Sequence, residues 1–191
     1  MLVAVAVTGC AAASGDRFAD RPVPHIGRGP NYELPPSGPD AAAGRPVSGL
    51  ACKRGRTTRF GTHLEVFANG LDVMVPAGVG VAPPRRRTGA YVTGGRCEYP
   101  ARTVEPTGLI EVDTGQKITL GQFFDLWGQP LSRRALLGFR AGQGRSVDAF
   151  VDGRGWREDP RAIPLSRHAA IVVEVGGYFP PTRKYVFPNG L

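Results

Sequence analysis

The sequence is poor in the residues from which most catalytic and metal centres are built. Histidine and cysteine occur three times each in 191 residues. It contains no G-x-S-x-G, no H-E-x-x-H and no glycine-rich phosphate loop set between a strand and a helix. Those gaps remove the best-marked hydrolase, metalloprotease and nucleotide-binding chemistries. An aromatic-basic RNA motif is also missing. Lysine is scarce, so the net charge of +8 is carried by arginine far more than by lysine. Such an excess fits a high-GC coding bias as well as a binding surface, and charge alone does not argue for nucleic acid. Apolar runs are too short to cross a bilayer as a helix. The length suits one domain with a real core plus a tail.

What the chain has in quantity is glycine (27) and proline (18), nearly a quarter of its residues together, which points to short strands, turns and extended segments. The first eight residues are almost wholly apolar and lead to Gly9 and Cys10. The run Val7-Thr8-Gly9-Cys10 resembles the lipobox of bacterial lipoproteins, in which a cysteine thiol accepts diacylglycerol before cleavage on its N-terminal side. No Lys or Arg precedes the apolar run, unlike the usual n-region, so the true start is expected upstream of Met1. This reading gives a signal segment at 1–9, a lipidated Cys10, a palmitate-bearing anchor, and a disordered tether over 10–47 rich in Ala, Gly, Pro, Asp and Ser. The folded domain is then 48–191.

Export leaves Cys52 and Cys97 as a pair in a compartment where disulfides are allowed. One bridge between them would close a loop worth about 4 kcal/mol in the chain-entropy model. A thiolate metal pair is the alternative, although neither cysteine stands in a C-x-x-C or beside a histidine. The positive charge crowds between Lys53 and Arg102, where Arg54, Arg56, Arg59, Arg85 to Arg87 and Arg96 meet only three acidic residues. That pattern reads as a solvated basic face or as attraction to anionic lipid head groups.

The clearest folding unit is Gly108 to Pro130. Leu109 to Leu120 reads as a hairpin turning at Thr114-Gly115, and Thr119 with Gln122 has capping-box spacing. Leu120, Phe123, Phe124 and Trp127 form one apolar helical stripe, which Gly128 and Pro130 terminate. Upstream, His63 to Pro76 alternates on both sides of Asn69-Gly70, a strong hairpin signal. Ala77 to Gly95 reads as a loop or irregular edge. Ser132 is placed to cap a short second helix through Leu137. Val147 to Gly153 and Ala169 to Val175 read as strands. The order hairpin, helix, two returning strands predicts a strand-rich α+β fold, a β-grasp-like sheet with one main helix across a face. A β-sandwich with a lateral helix is the alternative. Asp113 and Asp125 read as solvated acids, and His168 as structural.

Several motifs recur in order: Cys52, His63-Leu-x-Val-Phe-Ala-Asn-Gly, Val75-Pro-Ala-Gly-Val-Gly80, Cys97-x-Tyr99, Gly108-x-Ile-x-Val, Leu120-Gly-Gln-Phe-Phe-Asp-x-Trp-Gly128 and Phe187-Pro-x-Gly-Leu191. Over residues 49–191 this set resembles an uncharacterised family of exported bacterial proteins, often actinobacterial lipoproteins. Many members look like metal proteins, with H-x-H-x-H before the first hairpin, H-T-H-D after the second cysteine and a further histidine in the next strand. Of these only His63 stands here. Arg59 and Gly61 occupy the other two places of the first cluster, Arg102, Thr103, Val104 and Glu105 those of the second, and Glu111 the last. Arginine is cationic at any relevant pH and cannot replace imidazole as a ligand. The resemblance carries no assigned activity, and the missing catalytic motifs together with the lost histidines lead to the expectation of a binding or interaction module with no catalysis and no cofactor. The alternative it leaves is a zinc- or copper-binding protein with a degenerate site at His63, Glu105 and Glu111. Arg59 and Arg102 are candidates to form salt bridges with Glu105 and Glu111 where metal once joined the strands. The expected location is the outer face of the cytoplasmic membrane, lipid-anchored or secreted. The expected partners are the membrane, anionic head groups or another envelope protein, and not nucleic acid.

Overall fold

In the computed structural model, residues 34–55, 57–177 and 185–191 are described. The apolar segment, Cys10 and Arg56 lie outside them. Pro39–Ala43 forms a short helix, α1. Arg59–Ala68 is the longest strand, β1, and its alternation decides the layering. Leu64, Val66 and Ala68 enter the main apolar cluster, while the residues between them point to the opposite face.

A short arm β2 (Leu71–Asp72) follows β1 across the Asn69-Gly70 turn, where both residues have positive φ, 52° and 78°. The expected hairpin is therefore present. Arg86–Thr88 (β3) and Tyr91–Gly94 (β4) then make a separate two-stranded ribbon inside the segment expected to be loop. Ala101–Thr103 (β5) and Leu109–Asp113 (β6) return to the main sheet, and Leu120–Trp127 is the principal helix α2. Leu131–Ser132 (β7), Ala135–Leu136 (β8) and Phe139–Arg140 (β9) form a small meander. Asp148–Val151 (β10), Arg154–Gly155 (β11) and Ala170–Val175 (β12) complete the sheet.

The main sheet has seven strands in the order β11-β10-β12-β1-β6-β5, with β2 beside β1. Only β1 and β12 run parallel, from His63↔Ala170 to Ala68↔Val175. With β6 antiparallel to β1 and β10 antiparallel to β12, the first and last long strands share the centre. That is the strand order of a β-grasp, with β6 in place of the hairpin's second arm. The fold is thus strand-rich α+β with one main helix on one face, and no two-sheet sandwich forms among the described residues. No helix among the described residues is long and apolar enough to cross a membrane.

Helix α2 starts as its sequence indicates. The Thr119 side chain accepts from the Gln122 amide while the Gln122 carboxamide accepts from the Thr119 amide. Six of its eight residues are buried, more than one stripe. The outer side is covered by α1, whose Ala41 is 1% exposed and belongs to the same cluster. Residues 34–47 therefore pack as part of the domain, contrary to the tether expected there. Pro39 sits at the helix N-terminus, where its missing N–H costs nothing. The Gly38 amide donates to the Leu126 carbonyl at 3.1 Å.

Two other expectations fail for local reasons. Leu109 to Leu120 is not a hairpin, because both edges of β6 are already taken by β1 and β5. Thr119 bridges Pro164 instead. Ser132 caps no helix: its hydroxyl accepts from the amides of Arg134 and Ala135 and closes the β7–β8 turn. A serine oxygen serves a turn as readily as a helix start.

Gly128 ends α2 in the left-handed region, φ 75°, with its amide bonded to the Asp125 carbonyl. A Cβ there would meet the Gly38 Cα at 2.4 Å. Gly128→Ala is expected to cost roughly 2 kcal/mol in urea unfolding. Gly138→Ala, where an added Cβ meets nothing, leaves the midpoint unchanged within error.

Candidate functional site

The alternation that sends Leu64 and Val66 toward the helix sends Arg59, Gly61, His63 and Glu65 to the open face of the sheet. Register then fixes their neighbours. Arg59 stands opposite Asp113 and Gly61 opposite Glu111, while Glu111 faces Arg102 on its other side. Arg102, Glu111 and Gly61 thus lie in one row across three strands. Glu98 joins from the irregular segment before β5, bridged to both Lys53 and Val81. The disulfide Cys52–Cys97 is formed next to it, with Cα atoms 5.5 Å apart and a sequence separation of 45. Each cysteine adjoins one member of the Lys53–Glu98 bridge.

The result is a closed ion network. Arg59 reaches Asp113 with Nε (2.8 Å), Glu98 with Nη2 (3.2 Å) and Glu111 with Nη1 (3.5 Å), and its side chain is only 7% exposed. Arg102 holds Glu111 through Nη2 at 2.7 Å and Nε at 2.8 Å, and pairs through Nη1 with Glu98. Thr57 adds a hydroxyl bond to Asp113. The expected arginine pairing is therefore present at Glu111, but the second acid is Glu98 and not Glu105. Glu105 accepts a bond from the Thr107 hydroxyl at 3.1 Å, apart from the network. Asp113, expected to be solvated, is part of it. Asp125 is likewise engaged, by Arg161 at 2.7 and 2.9 Å.

His63 is buried and does not face Glu111. Its Nε2 donates to the Thr107 carbonyl at 2.9 Å, and its ring stacks on Tyr185 with centroids 3.9 Å apart. Burial pushes its pKa below the ordinary value of about 6.5, against the opposing effects of Glu65 and the Thr107 carbonyl. The space beside it is a cavity of about 150 Å³. Among the described residues no three of His, Cys, Asp and Glu are grouped to hold a metal ion. His168 sits in a structural contact, stacked on Phe187 and bonded through Nε2 to the Leu191 carbonyl oxygen. Phe187 fills the space left by the absent Gly61 side chain, since a Cβ there would lie 2.8 Å from its Cδ1.

Beside the network opens a groove of about 910 Å³. Lys53, Arg54, Arg59, Arg86, Arg96 and Arg102 line it against two carboxylates, Glu98 and Glu111, with Asp113 behind Arg59. Arg59 and Arg102, paired with these acids, form the floor. Lys53, Arg54, Arg86 and Arg96 form an exposed rim without an ion pair among the described residues. Arg54 and Arg96 each donate one bond, 3.3 Å long, to a backbone carbonyl, of Arg96 and Ala42 respectively. Sequence reading found the basic segment but missed Glu98, which reaches the network from an irregular segment outside the strands.

No family model matches the chain, and no curated protein or solved structure does so either.

Two outcomes follow from this geometry. Arg59→Met leaves Asp113 without its ion pair and Glu98 and Glu111 with Arg102 alone, and is expected to cost about 3 kcal/mol in chemical unfolding, more than Arg54→Met at the rim. For His63, the lowered pKa means the unfolded chain binds more protons below about pH 6.5, so stability falls as pH drops through that value. His63→Gln removes that part of the slope between pH 7.5 and pH 5.5.

Proposed function

We propose that this chain is a lipid-anchored or secreted cell-envelope protein whose domain is a non-catalytic binding module. The basic groove is its contact face. The observation that carries the reading is the charge arrangement. The three clustered acids of the open face are each ion-paired to Arg59 or Arg102, while four further cations project around the mouth. Acids engaged in this way favour a binding role over service as bases or metal ligands, and the cationic rim attracts anions. The formed disulfide supports export, because such bridges persist outside the reducing cytosol. The lipobox-like run at Cys10 supports an anchor, with residues 11–33 as spacer between lipid and domain.

The anchor has a direct test. Wild type is expected in the membrane fraction, labelled by palmitate, and Cys10→Ala is expected unlabelled and soluble. Unchanged fractionation of Cys10→Ala would refute lipidation. The binding reading is checked with that soluble variant: isolated cell envelopes retain it at low ionic strength and release it at high salt. Failure to be retained at any ionic strength counts against a contact face of this kind.

A further inference from the structure

We infer that the groove binds a phosphate ester, with Arg54, Arg86, Arg96 and Lys53 as its ligands. The inference rests on the reading of the groove as the domain's contact face and names the chemistry that fits it. The four cations arrive from three separate segments: Lys53 and Arg54 from the chain before β1, Arg86 from β3, and Arg96 from the stretch between β4 and β5. Their charges therefore surround a volume. A carboxylate is planar and satisfies one or two guanidinium forks. A phosphate is tetrahedral, carries up to two charges and offers acceptor oxygens in three dimensions, so one group can engage cations from several directions.

The surroundings agree. Arg86 and Arg54 each spend one N–H on a long bond to a backbone carbonyl, 3.5 and 3.3 Å, which orients the guanidinium and leaves its other donors for a ligand. The hydroxyl-bearing residues Thr58 and Thr93 line the same space. The floor below sets Arg59 and Arg102 against Glu98, Glu111 and Asp113, a single excess negative charge that the four rim cations outnumber, so an approaching anion meets the rim first. At about 910 Å³ the groove exceeds what a bare phosphate needs. The surplus suits the alcohol that an ester carries. The lining is dominated by polar and charged residues, which suits a head group or a phosphorylated polymer unit better than an acyl chain. A phospholipid head group and a soluble phosphate ester share this chemistry.

The experiment uses the full chain carrying Cys10→Ala. Inorganic tripolyphosphate is titrated against it by calorimetry, with polyglutamate of matched charge as competitor. Vesicles of phosphatidylglycerol in phosphatidylcholine are compared with phosphatidylcholine alone. Tripolyphosphate is expected to bind about tenfold or more tightly than polyglutamate. The combined variant Arg54→Gln, Arg86→Gln, Arg96→Gln loses about tenfold or more. Arg140→Gln with Arg145→Gln, exposed arginines outside the groove, changes nothing. Arg86→Gln alone gives a partial loss, and an unaltered unfolding midpoint in each variant keeps the result independent of folding. Binding to both tripolyphosphate and anionic vesicles assigns the head group as a source. Binding to tripolyphosphate with no vesicle association assigns a soluble phosphate compound and excludes the head group. Equal affinity for polyglutamate overturns the phosphate assignment. So does an equal loss in the Arg140 and Arg145 variant. If neither anion binds while envelopes still retain the protein, the phosphate inference falls and the contact-face reading stands. If retention also fails, both fall.

Discussion

A strand has two edges and two faces, and nearly everything in this domain follows from how β1 spends them. Its first half gives one edge to β6, its second half gives the other to β12, and the last two residues add β2 on the β6 side. One face goes to α2 and the core, the other to the ion network and to Tyr185 and Phe187. A ten-residue strand is long for a sheet of mostly short ones, and that length lets it meet different partners at its two ends. The parallel pairing with β12 closes the topology. It brings the end of the chain back to the centre, after which residues 185–191 lie over the face opposite the helix.

The two faces are stabilised by different physics. The helix side is an apolar cluster in which Phe123, Phe124, Leu126 and Trp127 are fully buried, and its contribution scales with area removed from water. The open side sets two arginines among three acids in a part-buried space. Such a network repays its desolvation only when every member is matched. That is why single deletions there are costly while the net contribution of the whole remains modest. The disulfide beside Glu98 keeps that acid from leaving with its loop.

Local signals were legible wherever the chain itself closes the contact. The capping box at Thr119 and Gln122 and the Asn69-Gly70 turn could be read from residue type and spacing, and the Cys52–Cys97 bridge from the cysteine count of a chain expected to be exported. Strand-rich α+β architecture was legible for the same reason. What could not be read was competition. Leu109 to Leu120 has hairpin chemistry, yet β6 has no free edge for it. Pro39 to Ala43 looks like linker until Gly38 and Gly128 are seen to touch. For the site, the pairing of Arg59 and Arg102 with Glu111 was expected from the resemblance, which places histidines at all three positions. Glu98 was not, because its arrival depends on an irregular segment whose course only the fold defines.

The wall formed by Gly190 and Leu191 sets a practical boundary on how the protein is handled. Both residues line the groove, and the Leu191 carbonyl oxygen is bonded to His168. Residues fused beyond Leu191 leave the domain at the groove's mouth. An acidic epitope or a long linker placed there becomes a tethered occupant whose effective concentration is of order millimolar. It would compete with any weaker free anion. Affinity measurements on such a fusion report the tag as much as the domain.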